Sequence, residues 1–237
     1  MADGLLRFGF PSWYTFSGQW KPDVSHAFFI IVILAAGSFD GLHETFWWLG
    51  KVGVNPLEYP GRTAMIWTTL GGLTAAIIGL VAVFAVVVWL GVWTVRGNSS
   101  NHSKPFKDAF VGFSITLLPI AIGYHFAHYF VTFLVQFQYV VANMADPMAK
   151  GWNLFGLEVM RIKVGFLSVP EIVKIIWILQ AGVVVASHVL AVIMSHRTAE
   201  ILSEDRNSVI KIQIFLSILM IAYTVFGLWL LASPRGV

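Results

Sequence analysis

Apolar residues in this chain run in long blocks rather than in the alternating or three-to-four spacing of a half-buried element. Five blocks stand out, at roughly 24–50, 64–95, 109–143, 170–195 and 209–232. Crossing the hydrocarbon core of a bilayer, about 30 Å, takes about 20 apolar residues in a helix. Each block is long enough, and lipid leaves the backbone little choice but a helix. The pattern predicts one all-α integral membrane domain, a bundle of about five transmembrane helices.

The blocks are not alike. The first opens with Val24 to Gly37, meets the polar run Ser38-Phe39-Asp40-Gly41-Leu42-His43-Glu44, and closes with Thr45-Phe46-Trp47-Trp48. Its second half is too polar to face lipid, so a polar-interrupted helix is expected, either buried or broken and partly re-entrant. The second is free of charge from Ala64 to Val95, and Gly71, Ala75 and Gly79 form a small-residue stripe suited to helix packing. The third exceeds what a bilayer needs, and Pro119 predicts a kink. The connector 144–169 reads as amphiphilic and interfacial, with a helix start at Ser168-Val169-Pro170-Glu171. A charged turn is expected over 196–208, with His196 and Arg197 at the end of the fourth helix.

Composition strengthens the membrane reading. Charged residues make up 11% of 237 and hydrophobic ones 57%, where a soluble domain carries about 25% charged. Ten Trp and six Tyr suit interfacial belts. The net charge of +3 comes with no run of Lys or Arg, so nucleic acid is not an expected partner. Lipid, and either other membrane subunits or further copies of the chain, are. There is no cysteine, which removes disulfides, iron–sulfur clusters and c-type haem on this chain. Nothing in the first twenty residues reads as a removable signal. Loops 96–108 and 196–211 each carry three Lys or Arg and fall on one side, which predicts them cytoplasmic in a bacterial inner membrane.

The candidate chemistry lies in the ionisable residues within the apolar blocks. Such groups are costly at membrane depth and are functional hypotheses by default. Counting along the helices puts His125 and His128 roughly 22–27 Å from the cytoplasmic entry of the third block, and His43 at roughly 25 Å with Asp40 and Glu44 beside it. Five groups at one level, in the outer half of the membrane, offer a first-row metal such as copper or iron a set of nitrogen and oxygen ligands. The plain alternative is that each imidazole bonds a backbone carbonyl, Tyr124, Tyr129 or a carboxylate across a helix interface. His188, among Gly182, Ala186, Ser187 and Ala191, raises a variant: a b-type haem held by His188 and His125. Counted back from His196, however, His188 lies about two turns too low. His26 and His102 read as solvated, Lys174 as snorkelling, and Gln136 and Gln138 as lining a polar cavity or bridging helices.

Three functions follow. The first is a metal- or haem-binding subunit of a redox complex, with partner subunits supplying the electron relay. The second is a proton- or cation-coupled transporter or channel using the same residues, since histidine titrates near neutral pH. The third is a structural or assembly subunit in which the histidines join helices. The chain has no phosphate-binding loop, nucleophile elbow or zinc-protease motif.

Overall fold

A computed structural model describes residues 22–55, 57, 62–96, 106–156, 163–203 and 205–235. The N-terminal segment, most of the Pro/Gly loop at 56–61, the basic loop 97–105 with His102, and 157–162 lie outside the described residues. The elements are α1 (Val24–His43), α2 (Phe46–Lys51), α3 (Arg62–Arg96), α4 (Phe106–Thr116), α5 (Leu118–Ala145), α6 (Pro170–Leu202) and α7 (Arg206–Ala232), with a 3-10 turn at Gly165–Ser168. Five spans are long and apolar enough to cross a membrane: α1, α3, α4 with α5, α6 and α7. The protein is an all-α membrane bundle. Helix direction alternates, so α1 starts on the face that also holds the α6–α7 turn (the N-terminal face) and ends on the face that receives the C-terminus.

Local chemistry sets the helix limits. Asp23 caps α1, accepting from His26 N at 3.1 Å and Ser25 Oγ at 2.7 Å. The Ser25 hydroxyl, and then the His26 side chain and backbone, hold the Asp23 carboxyl well below the usual carboxylate range. The first block is polar-interrupted, as expected, with the break at the end of its polar run. The helix continues to His43 because its polar side chains bond back onto it, Ser38 Oγ to the Leu34 carbonyl at 2.8 Å and His43 Nδ1 to the Asp40 carbonyl at 2.6 Å. The break comes at Glu44–Thr45. Fully buried Thr45 donates to the Leu42 carbonyl at 2.7 Å and accepts from Trp48 N at 3.2 Å, capping α2.

The third span is broken at Leu117, between α4 and α5, two residues before Pro119. Proline has no N–H to donate back into the helix, and Leu117 N turns to Ser114 O at 3.1 Å. The charged turn expected over 196–208 is instead mostly helix. α6 runs on to Leu202 because Glu200 pairs with His196 at 3.5 Å and Arg197 at 3.4 Å on one face while Ala199 is fully buried on another. His196 is therefore not at a helix end. Helix resumes at Arg206, where Asp205 caps α7 by accepting from Ser208 N at 3.0 Å and Ser208 Oγ at 2.9 Å. Those bonds from Ser208 lower the Asp205 carboxyl pKa.

α1 packs against α3, α4, α5 and α7, and α6 against α5 and α7. Ile31, Phe84, Phe113, Ile120, Leu216 and Met220 form the centre of the core. Large apolar side chains such as Trp67, Ile78, Trp93 and Ile221 face outward, as lipid solvation requires. The Gly71/Ala75/Gly79 stripe is on that outward side: all three residues are exposed, and nothing lies within 4 Å of a Cβ built at Gly71 or Gly79. The close approaches of α3 use its other glycines. Gly72 sits under the Phe39 and Trp48 rings, and a Cβ at Gly91 would stand 2.6 Å from the Ile212 carbonyl oxygen.

Candidate functional site

The last turn of α1, the middle of α5 and the residues after α7 meet at one polar cluster. Asp40 Oδ2 accepts from His128 Nε2 at 3.0 Å and from the Tyr129 hydroxyl at 2.5 Å. The Asp40 side chain is 38% exposed while that of His128 is 6% exposed, so a buried imidazole is joined to an open carboxylate. Arg235 Nη1 approaches the other ring nitrogen, His128 Nδ1, at 3.4 Å, and Glu44 Oε2 at 3.5 Å. A guanidinium has only protons to give, so Nδ1 accepts and the ring proton lies on Nε2, donated to Asp40. Each contact along Glu44–Arg235–His128–Asp40–Tyr129 thus pairs one donor with one acceptor.

Backbone geometry places these groups. Phe46 N bonds Pro234 O at 3.1 Å, and Thr45 forms an isolated antiparallel bridge with Arg235. The segment after α7 is thereby clipped onto the α1–α2 junction, carrying its guanidinium to the site. On the other side, Gly37 and Gly41 let α5 close on α1. A Cβ at Gly41 would collide with the Tyr124 hydroxyl, and one at Gly37 would stand 2.6 Å from His125 Cε1. Tyr124 stacks on His128 at 6.1 Å between ring centroids, and Tyr129 meets it edge-on at 4.6 Å.

The five expected ligands do not form one ligand set. His128 and Asp40 meet directly. His43 stacks on Phe39 at 5.7 Å and lies 3.9 Å from Asp40 Oδ1 through the same nitrogen that bonds the Asp40 carbonyl. Glu44 faces Arg235. His125 bonds the Ala121 carbonyl through Nδ1 at 2.8 Å and rests on Gly37. Among the described residues no group of three or more His, Cys, Asp or Glu converges to hold a metal ion.

The haem variant meets a different obstacle from the one expected. Ser187 packs on Gly123, and Gln180 Nε2 donates to the Ala127 carbonyl at 2.6 Å, which fixes the register of α6 on α5. His188 therefore lies roughly 5–9 Å below His125, less than the two turns expected. The expected offset assumed that α6 ends at His196, and it does not. The two rings have different neighbours, however. His125 Nε2 is 3.1 Å from a Cβ position on Gly37, too close to α1 for a macrocycle between them, while His188 lies beside Tyr223 of α7.

His188 belongs to a second, deeper polar group. Its Nδ1 bonds the Val184 carbonyl at 2.7 Å, and its Nε2 is buried without a partner among the described residues. The neighbouring Tyr223 hydroxyl bonds Ser38 Oγ on α1. Toward the N-terminal face, Gln213 links Ser195 at 3.2 Å and His196 at 2.8 Å. At the opposite end, Gln138 bridges no helices. It clamps Lys163 of the connector to α5 through both amide groups, at 2.8 and 3.0 Å.

Sequence reasoning missed Arg235, Tyr223, Ser38 and the Gly37/Gly41 pair. The glycines did carry a signal, the i, i+4 small-residue spacing credited instead to Gly71, Ala75 and Gly79. Arg235 gave none beyond being a cation at the end of an apolar block. No family model matches the chain, and no curated protein or solved structure matches it either.

Proposed function

We propose that this protein is a proton- or cation-coupled transporter with its binding site at Asp40 and His128. The observation that carries the reading is the Asp40–His128–Arg235 chain: a half-open carboxylate, a buried imidazole and a fixed guanidinium in contact. Asp40 is the acceptor for the incoming proton or cation. His128 relays by exchanging protons across its ring: as Nδ1 gains one, where it would face Arg235, a like charge, and drive it toward Glu44, the Nε2 proton passes to Asp40. Protonation is thereby coupled to the C-terminal clip and the helix ends it joins, which is what a coupled carrier requires. A resident copper or iron would need converging donors, whereas these donors are bonded to one another and to the backbone. The basic loops favour an orientation with the N-terminal face in the cytoplasm, most simply of a bacterial inner membrane.

The test is flux in proteoliposomes. A pH-sensitive dye in the lumen, with imposed proton, sodium or potassium gradients, should report protein-dependent flux that Asp40→Asn and His128→Gln abolish. Wild-type vesicles no more permeable than empty ones under every gradient would sink the reading. Stoichiometric copper or iron in protein purified with its native partners would move the assignment to a redox subunit.

A further inference from the structure

The buried nitrogen of His188 is the group on this molecule whose chemistry is least accounted for. The residue is 6% exposed and Nε2 has no hydrogen-bond partner among the described residues, although buried polar atoms are nearly always partnered. Nδ1 faces the Val184 carbonyl, which can only accept, so the ring proton is on Nδ1 and Nε2 carries a bare lone pair. The same reasoning orders its neighbour. Ser38 spends its proton on the Leu34 carbonyl at 2.8 Å, so in the Ser38–Tyr223 contact Tyr223 must be the donor. The Tyr223 oxygen is then left with unused lone pairs beside the imidazole, the ring centroids being 6.5 Å apart. The two rings are neighbours, but the Tyr223 hydroxyl makes no bond to Nε2, which has no partner among the described residues.

We propose that His188, with Tyr223 and Ser38, is a second proton-binding site near mid-membrane, beyond Asp40–His128 in the pathway proposed above, on which its role in transport rests. A hydronium ion gives its proton to Nε2 and leaves as water. Nδ1–H stays on the Val184 carbonyl, Tyr223 O–H stays on Ser38, and a turn of the neighbouring rings brings the new Nε2–H to the Tyr223 oxygen. The surroundings suit so small a ligand, since Val184, Ala191, Met220 and Ser38 are all buried close by. The polar groups on the elements around the site are Ser38 of α1, Tyr124 of α5, Ser187 of α6 itself, and Tyr223 with Thr224 of α7. Among the described residues no charged side chain acts on His188, and the first carboxylate along α1 is Asp40, two residues past Ser38. Toward the N-terminal face, Ser195 lies roughly 10 Å further along α6, and Ser114 and Thr116 of α4 are also buried on that side, their hydroxyls bonded to the Val111 and Phe113 carbonyls.

The experiment is nitrogen-15 solid-state NMR of the full chain in liposomes across pH. His188 is assigned through its bond to Val189, the only His-Val pair in the sequence, so no variant is needed to identify it. Expected is an Nε2 bare at alkaline pH that gains a proton on acidification while the fold persists. In Tyr223→Phe, loss of the acceptor should demand about tenfold more acid. An Nε2 that is protonated at alkaline pH, or that stays bare until the protein unfolds, overturns the proposal. So does an unchanged midpoint in Tyr223→Phe. Flux separates the two readings: a silent His188 in vesicles whose flux depends on Asp40 refutes only this site. A titrating His188 in protein without flux keeps the site and refutes transport.

Discussion

His128 and His188 are both buried imidazoles in helices, about two turns apart in height, yet they are solved differently. His128 has both nitrogens engaged, by Asp40 and Arg235, and both partners reach toward the open end of the bundle. His188 has one nitrogen on its own helix and one on nothing among the described residues. A fully satisfied polar group specifies structure, and removing one member leaves the others stranded. A half-satisfied one adds little to the fold and keeps a free valence for chemistry. The outer cluster therefore ties α1, α5 and the C-terminal segment together and leaves its carboxylate partly open, whereas the inner one keeps a nitrogen without a partner among the described residues.

The sharpest way to break that comparison is to remove the carboxylate. Asp40→Leu strands the His128 Nε2–H and the Tyr129 hydroxyl and is expected to cost about 3 kcal/mol, read as lowered thermal stability in detergent; Asp40→Asn, which keeps an acceptor, should cost less. Next comes the seam beneath the cluster. Gly41→Ala drives a methyl into the Tyr124 hydroxyl and Gly37→Ala one into the His125 ring, each expected to cost about 1–3 kcal/mol, while Gly71→Ala, in open space, should cost nothing by the same assay. The direct contrast is smaller: His128→Leu should destabilise by about 2 kcal/mol, and His188→Leu by less than about 1 kcal/mol, because an orphaned nitrogen leaves with the single bond that is lost. Equal losses at the two histidines would show that His188 is as fully used as His128.

The smallest effect lies outside the membrane. Asp23 and Asp205 are held below the usual carboxylate range by the donors they cap. A depressed carboxyl contributes stability that is fully present above its unfolded-state pKa and is lost as pH falls through the folded one. The caps should therefore hold at neutral pH and weaken only below pH about 4. Asp205→Asn, still a competent cap, should match the wild type near neutrality and lose less on acidification, as followed by the pH dependence of thermal unfolding.

Much of the fold was legible because lipid reduces the choices. Blocks such as Ala64–Val95 must be helices, and Pro119 must disturb one. Helix ends were less legible: α6 outruns its expected limit because Ala199 finds a buried position, which depends on a neighbour far away in the chain. The Gly71/Ala75/Gly79 stripe was misread for the same reason, since α3 has small residues on more than one face and spacing does not reveal which face meets protein.

The sequence by itself determined that this is a helical membrane protein and that its ionisable residues gather near Asp40–Glu44 and Tyr124–Tyr129, because hydrophobicity and helical rise act along the chain. Only the tertiary structure decided which of them touch. It joined Asp40 to His128 rather than to His43, brought Arg235 back from the end of α7, and left His188 beside Tyr223 with a nitrogen unmet. Those outcomes depend on the rotation and register of each helix against the next, set at Gly37, Gly41 and Gly123, where a missing side chain on one helix admits a particular one from another.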